Sequence, residues 1–242
     1  MSLKQAEILG VNVNSLTMVQ AVETVQQFID GKKNALVATA NAEMLMRATQ
    51  DRELKQILNE ADLVVPDGAG TVWAANYLGV EMPERVAGYD LAQELMREAP
   101  ARGDRVYFFG SAPGVAEKAR EKAMDLYPGI KIVGTRNGFF TEADEAEIIE
   151  EIKAARPDIL FAALGVPKQE KWLYKHRQEL QVPVAIGVGG TLDVMAGVMQ
   201  RAPLWMQKAK LEWLFRGLKQ PSRAGRLLAL PKFVFRVMAS KK

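Results

Sequence analysis

Apolar residues along this chain fall into short continuous runs, separated by longer stretches in which they recur every three or four positions. The runs "ILGVNV" (8–13), "ALVATA" (35–40), "DLVVP" (62–66), "RVYFFG" (105–110), "IKIVGT" (130–135), "DILFAAL" (158–164) and "VPVAIGV" (182–188) predict strands. The stretches between them predict helices near 17–30, 42–58, 69–79, 89–101, 113–126, 143–155 and 167–180. Several runs are apolar on both faces, as expected for strands covered on each side. The strict alternation predicts an α/β fold: Rossmann-like, with a mostly parallel sheet and helices on both faces.

From Ala196 onward the pattern changes. The segment "RAPLWMQKAKLEWLFRGLKQPSRAGRLLALPKFVFRVMASKK" shows no strand-like alternation and predicts two or three short helices broken at Pro203, Pro221 and Pro231. The chain therefore divides into an α/β domain, 1–195, and a helical C-terminal appendage, 196–242. Charge follows the same boundary. Residues 196–242 carry eleven Lys or Arg against one acidic residue, Glu212, a net +10, which leaves −7 on residues 1–195 of the overall +3. Basic residues interleaved with Trp205, Trp213, Phe and Leu describe an interfacial helix suited to an anionic membrane surface. Nucleic acid is a poor fit, because the acidic body offers no continuous basic surface.

Composition narrows the chemistry. With 242 residues, 48% apolar and 25% charged, the chain is an ordinary globular protein in bulk terms. It has no cysteine, which excludes disulfides and thiolate metal sites, and one histidine, His176, inside a charged stretch, which disfavours a His-based metal cluster or a Ser-His-Asp triad. No signal peptide and no spanning apolar run is read from the sequence. A cytoplasmic location is expected, at the inner face of the membrane if the tail is interfacial.

In parallel α/β sheets, ligands gather beyond the C-terminal ends of the strands. Here nearly every such end carries a polar residue or glycine: Thr39 and Asn41, then Asp67-Gly68-Ala69-Gly70, "GSAPG" from Gly110 and Ser111, "GVPKQE" with Gln169, and "GVGGTLD" with Gly187 and Gly189. Each loop alone is explained by turn and cap chemistry. Five on one edge would converge in space. The loop after "RVYFF" has the strand–glycine–helix form that offers N–H groups to a phosphate. Yet neither it nor "IGVGGTLD" completes G-x-G-x-x-G, and no G-x-x-x-x-G-K-[ST] occurs. A dinucleotide-dependent oxidoreductase and a P-loop NTPase are thus disfavoured. For Asp67, a helix cap and a general base both stand. Arg85 reads either as a donor to substrate or as a surface partner of Glu81 or Glu84.

Taken together, "TANAEM" (39–44), "VVPDGAG" (64–70), "RVAGYDL" (85–91), "FFGSAPG" (108–114), "GVPKQEKW" (165–172), "GVGGTLD" (187–193) and "RAPLWMQKAKLEWLFRGLKQPSR" (201–223) resemble the WecG/TagA/CpsF glycosyltransferase family, nearest its teichoic-acid branch. The likeness runs in order along nearly the whole chain and departs from the usual pattern at Ala209-Lys210 and Gln220. It implies an inverting, metal-independent transfer of a sugar, N-acetylmannosamine in that branch, from a UDP-sugar to undecaprenyl-diphospho-N-acetylglucosamine. Other UDP-hexose donors (N-acetylmannosaminuronate, glucose, galactose) fit the same pattern, and a non-catalytic nucleotide-binding membrane adaptor is the alternative from another class. By motif position the resemblance assigns Asp67 as base, with Thr39 and Asn41 beside the reacting centre. Arg85 and Gln169 match active-site positions, and Arg216, Arg223 and Arg226 match arginines that close over the site and hold diphosphate. No cofactor is implied, the UDP-sugar being a substrate. The absence of a D-x-D sequence agrees with a site in which arginines and helix N-termini meet the leaving charge. The apolar tail also allows a homo-oligomer where no membrane is present.

Overall fold

The computed structural model describes residues 3–209, 212, 214, 215 and 229–241. Six strands form one parallel sheet: β3 (Ala35–Ala40), β4 (Leu63–Pro66), β5 (Arg105–Gly110), β6 (Lys131–Arg136), β7 (Ile159–Ala163) and β8 (Val184–Gly187), in the spatial order β4-β3-β8-β7-β5-β6. Strands β3, β4, β7 and β8 are buried at every residue, which is why their sequences are apolar except at Thr39. All six strands end on the same side, so the loops that follow them share one edge.

The helices cover both faces. On one face, α1 (Met18–Asp30), α5 (Gly88–Arg102), α6 (Val115–Leu126) and α9 (Thr191–Met195) pack on Val37, Val65, Phe108, Phe161 and Ile186. On the other, α2 (Ala42–Ala48), α3 (Arg52–Glu60), α4 (Ala69–Tyr77), α7 (Glu145–Ala155) and α8 (Lys168–Leu180) pack on Ala38, Ala40, Val64, Tyr107, Phe109 and Leu160. Helix α1 begins in a capping box, Thr17 and Gln20 satisfying each other's backbone N–H.

Three expectations are corrected. The run 8–13 is not one strand but the middle of an antiparallel hairpin, β1 (Gln5–Ile8) and β2 (Val11–Asn14), separate from the main sheet. Leu9 and Gly10 both take positive φ, 53° and 81°, the two-residue turn whose twist matches a hairpin. Asn59 of α3 holds this turn, donating to Gly10 O and accepting from Asn12 N, both at 2.9 Å. The helix predicted over 42–58 is two helices, because Asp51 accepts from Leu54 N at 3.0 Å and caps a fresh start.

The third concerns the tail. Pro203 does precede a helix, α10 (Leu204–Lys208), and Pro221 lies outside the described residues. Pro231, however, breaks nothing: it is the third residue of α11 (Ala229–Ser240), in the first turn, where a missing N–H leaves no helical bond unmade. Helix α11 packs against α2 and α4 and carries Phe233 and Val237, both fully buried, into the same core as Met44, Leu45 and Val64.

Candidate active site

The centre of the loop edge is built on neighbouring strands in register. Thr39 pairs with Val65 and Ala40 with Pro66, so Asn41 and Asp67 leave β3 and β4 side by side. The Asp67 N–H donates to Ala40 O at 2.9 Å, and a Cβ at Gly68 would stand 3.5 Å from that of Asn41. Asn41 caps α2, its side-chain oxygen accepting from Met44 N at 3.0 Å. Thr39 is buried and donates across the sheet to Gly187 O at 2.9 Å, joining the ends of β3 and β8. Gly88, at the start of α5, presses on Thr39: an added Cβ would approach its side chain to 2.9 Å. The N-cap of α4 is Gly68, which makes no side-chain cap bond. Asp67 thus stands one residue before the cap position, partly exposed on the same edge as Thr39 and Asn41.

A second group of loops lies across β7 and β5. Gly110 has φ 130°, and a Cβ there would stand 2.4 Å from Ala163 O, so only glycine fits. Ser111, also at positive φ, donates its N–H to Ala163 O at 2.9 Å, and its hydroxyl meets Asp193 of α9 at 3.2 Å. Gly114 caps α6 with no side chain. These contacts bring the Ser111 loop to the start of α9, beyond Gly187 and Gly189.

Gln169 lies between the two groups and is almost wholly buried, on the α8 face that also carries Trp172, Leu173, His176 and Leu180. Its side-chain oxygen accepts from Gly165 N and Gly189 N, each at 3.1 Å, and its amide nitrogen donates to Glu170 Oε1 at 2.7 Å. The structure thereby makes Gln169 the clamp between the loops after β7 and β8. Glu170 itself is 1% exposed, and burial pushes its carboxyl up to about 7 despite the Gln169 hydrogen bond and the charge of Arg47. Sequence reading passes over Glu170, since it stands inside a charged stretch where acids are ordinarily solvated. His176 meets Glu145 at 3.1 Å and packs on Trp172, away from the edge.

Arg85 pairs with neither Glu81 nor Glu84. Its guanidinium meets Glu212 at 3.0 Å and Asp90 at 3.7 Å. Arg201 forms a bidentate pair with Asp90 at 2.6 and 2.8 Å, approaches Glu212 at 3.6 Å and covers the Tyr89 ring. Two arginines and two carboxylates thus alternate where the appendage meets the start of α5. Arg216, Arg223 and Arg226 lie outside the described residues. Among the described residues no helix is long and apolar enough to cross a membrane.

Set beside known proteins, residues 6–242 match the model of the Glycosyl transferase WecG/TagA/CpsF family. Among similar curated proteins, one from Bacillus spizizenii named N-acetylglucosaminyldiphosphoundecaprenol N-acetyl-beta-D-mannosaminyltransferase is 36% identical, over 89% of this chain and 83% of its own. Proteins of the same name from Bacillus subtilis and Staphylococcus aureus are 34% and 32% identical, covering 96% and 98% of this chain and 89% and 94% of theirs. The match spans the whole α/β sheet and its loop edge, and the chain belongs to the WecG/TagA/CpsF glycosyltransferase family.

Proposed function

We propose that this protein transfers N-acetylmannosamine from UDP to N-acetylglucosaminyl-diphosphoundecaprenol with inversion, in teichoic-acid-type polymer assembly. The observation that carries the reading is the placement of Asp67 beside Thr39 and Asn41 at the ends of adjacent parallel strands, in a chain whose relatives bear that activity in their names. In this reading the acceptor hydroxyl attacks the anomeric carbon as the bond to UDP breaks on the opposite face. Asp67 takes the hydroxyl proton in the same step. The leaving diphosphate is met by backbone N–H groups of the glycine loops and by Arg216, Arg223 and Arg226, with no metal ion. Residues 1–195 act as the catalytic domain, and the appendage brings the site to its lipid-linked substrate. The test is a donor screen with a short-chain polyprenyl-diphospho-N-acetylglucosamine acceptor. We expect β-linked product from UDP-N-acetylmannosamine, undiminished by EDTA. Product from UDP-N-acetylmannosaminuronate, UDP-glucose or UDP-galactose alone would overturn the donor assignment, and abolition by EDTA the metal-free mechanism.

The membrane part of the reading rests on the outer face of α11. Phe235 is 78% exposed and Met238 50%, with Lys232 and Arg236 beside them. A helix with an apolar strip bordered by cations binds at the headgroup boundary of anionic lipid. Phe235→Ser with Met238→Ser is expected to keep the melting temperature while weakening sedimentation with phosphatidylglycerol vesicles at least about tenfold, from the loss of two inserted side chains. Undiminished binding would remove α11 from the membrane contact.

A further inference from the structure

The environment of Glu170 is not explained by capping or core packing. Two backbone N–H groups, from Gly165 and Gly189, converge on one atom of Gln169, which must therefore be its oxygen. The amide nitrogen is then turned toward the interior, where Glu170 Oε1 accepts from it at 2.7 Å. Glu170 Oε2 is buried with no hydrogen-bond partner. Both polar groups lie under the end of β8: a Cβ at Gly187 would stand 2.6 Å from Gln169 Nε2 and 3.1 Å from Glu170 Oε1. The carbonyl of that same Gly187 accepts from Thr39. A buried acid thus sets which way one amide faces, and the amide holds the glycine loops after β7 and β8, the second of them on the strand that Thr39 bonds.

We propose that Glu170 is a positioning residue for sugar transfer: through Gln169 it fixes the Gly165 and Gly189 turns and so the cradle that receives the donor. The inference rests on the functional reading above. Without an acceptor at position 170 the Gln169 amide loses the contact that opposes its rotation. Rotation would turn its NH2 toward two N–H donors, and both turns would loosen. Protonation adds a second consequence. The charged group that bears on Glu170 is Arg47 of α2. Asp51 and Glu53 are engaged by Lys171, and Glu145 by Lys175 and His176, on other sides of α8. Strands β3, β7 and β8 bring no charged residue. Below about pH 7 the acid, kept neutral by burial, places no net charge beneath a site that binds diphosphate in this reading. As pH rises through about 7 the carboxylate forms and repels it.

The experiment compares full-length wild type with Glu170→Gln and Glu170→Leu, matched for melting temperature, by amide hydrogen exchange at Gly165 and Gly189 and by kcat/KM against pH. Glu170→Leu keeps the bulk but not the acceptor. We expect both amides to exchange about fivefold faster, the equivalent of one hydrogen bond, and kcat/KM to fall toward about 10²-fold. Glu170→Gln restores the acceptor without the titration. It is expected to return both readouts to near wild type and to abolish the decline in kcat/KM above neutral pH. Unchanged exchange in the Leu variant, unchanged kcat/KM in the Leu variant, or a Gln variant no better than Leu each overturns the role. An alkaline decline retained in Gln overturns the protonation step. Should wild type transfer no sugar at all, the functional reading fails, and amide exchange alone decides whether Glu170 fixes the turns.

Discussion

Asp67→Asn is expected to lower kcat by about 10²- to 10⁴-fold, the usual worth of a positioned general base, with the KM for sugar nucleotide within a few-fold of wild type. Asparagine has the same shape but cannot accept the acceptor's proton. The substitution also leaves the backbone contacts of the position intact, since the N–H of residue 67 donates to Ala40 O and not to a side chain. Single-turnover transfer at saturating acceptor, read beside the melting temperature, checks this. Near-normal turnover in a folded variant would remove Asp67 as base. Asn41 offers no equally clean test. Its oxygen caps α2, so its removal perturbs the helix as well as the site.

Phe233→Ala is expected to destabilise the protein by about 3–5 kcal/mol, the range for an aromatic removed from a packed core, which lowers the melting temperature by about 6–20 °C. Phe233 is fully buried in the core shared by α2, α4 and the N-terminal hairpin. Its ring lies under the first turn of α4, where a Cβ on Gly70 would approach it to 3.7 Å. The cavity therefore opens directly behind the Asp67 loop, and activity is expected to fall further than the folded fraction does. Thermal unfolding paired with an activity assay at a temperature where the variant is folded separates the two effects. A loss in melting temperature below about 2 °C would show that α11 is not an integral layer of the fold. Removal of residues 196–242 carries the same burden, for it strips Phe233 and Val237 from that core along with any surface contact.

Much of this was legible beforehand because burial on both faces leaves so plain a mark. Ala35–Ala40, Leu63–Pro66 and Val184–Gly187 read as strands without needing any partner to be known. Once those strands are parallel, their loops fall on one edge, so Thr39, Asn41 and Asp67 come together by topology alone. What escaped depended on other information. Leu9 at positive φ is not a residue that announces a turn, so the hairpin looks like one strand. The Asp51 cap is a local signal overridden by the helical period around it. Arg85 and Glu212 are 127 positions apart, and Arg201 and Asp90 are 111. No spacing rule reaches that far, and proximity in sequence points instead to the wrong partners, Glu81 and Glu84. Glu170 is hidden for a different reason: it is covered by the end of β8 at Gly187, seventeen residues further on, which only the fold brings over it.

The N-terminal hairpin has a consequence for how this protein survives in solution. Strand β4 ends the main sheet, and an end strand presents unpaired N–H and C=O groups to any other extended chain. Here Asn14 fills one of those places, its side-chain oxygen accepting from Val64 N at 2.9 Å. Ala6, Ile8, Val11 and Val13 press the hairpin's apolar side into the core beside Val64. The ten residues Gln5–Asn14, remote from any chemistry, thus act as a guard against strand-to-strand association. They keep a sheet with a very apolar rim from becoming a template for its own aggregation.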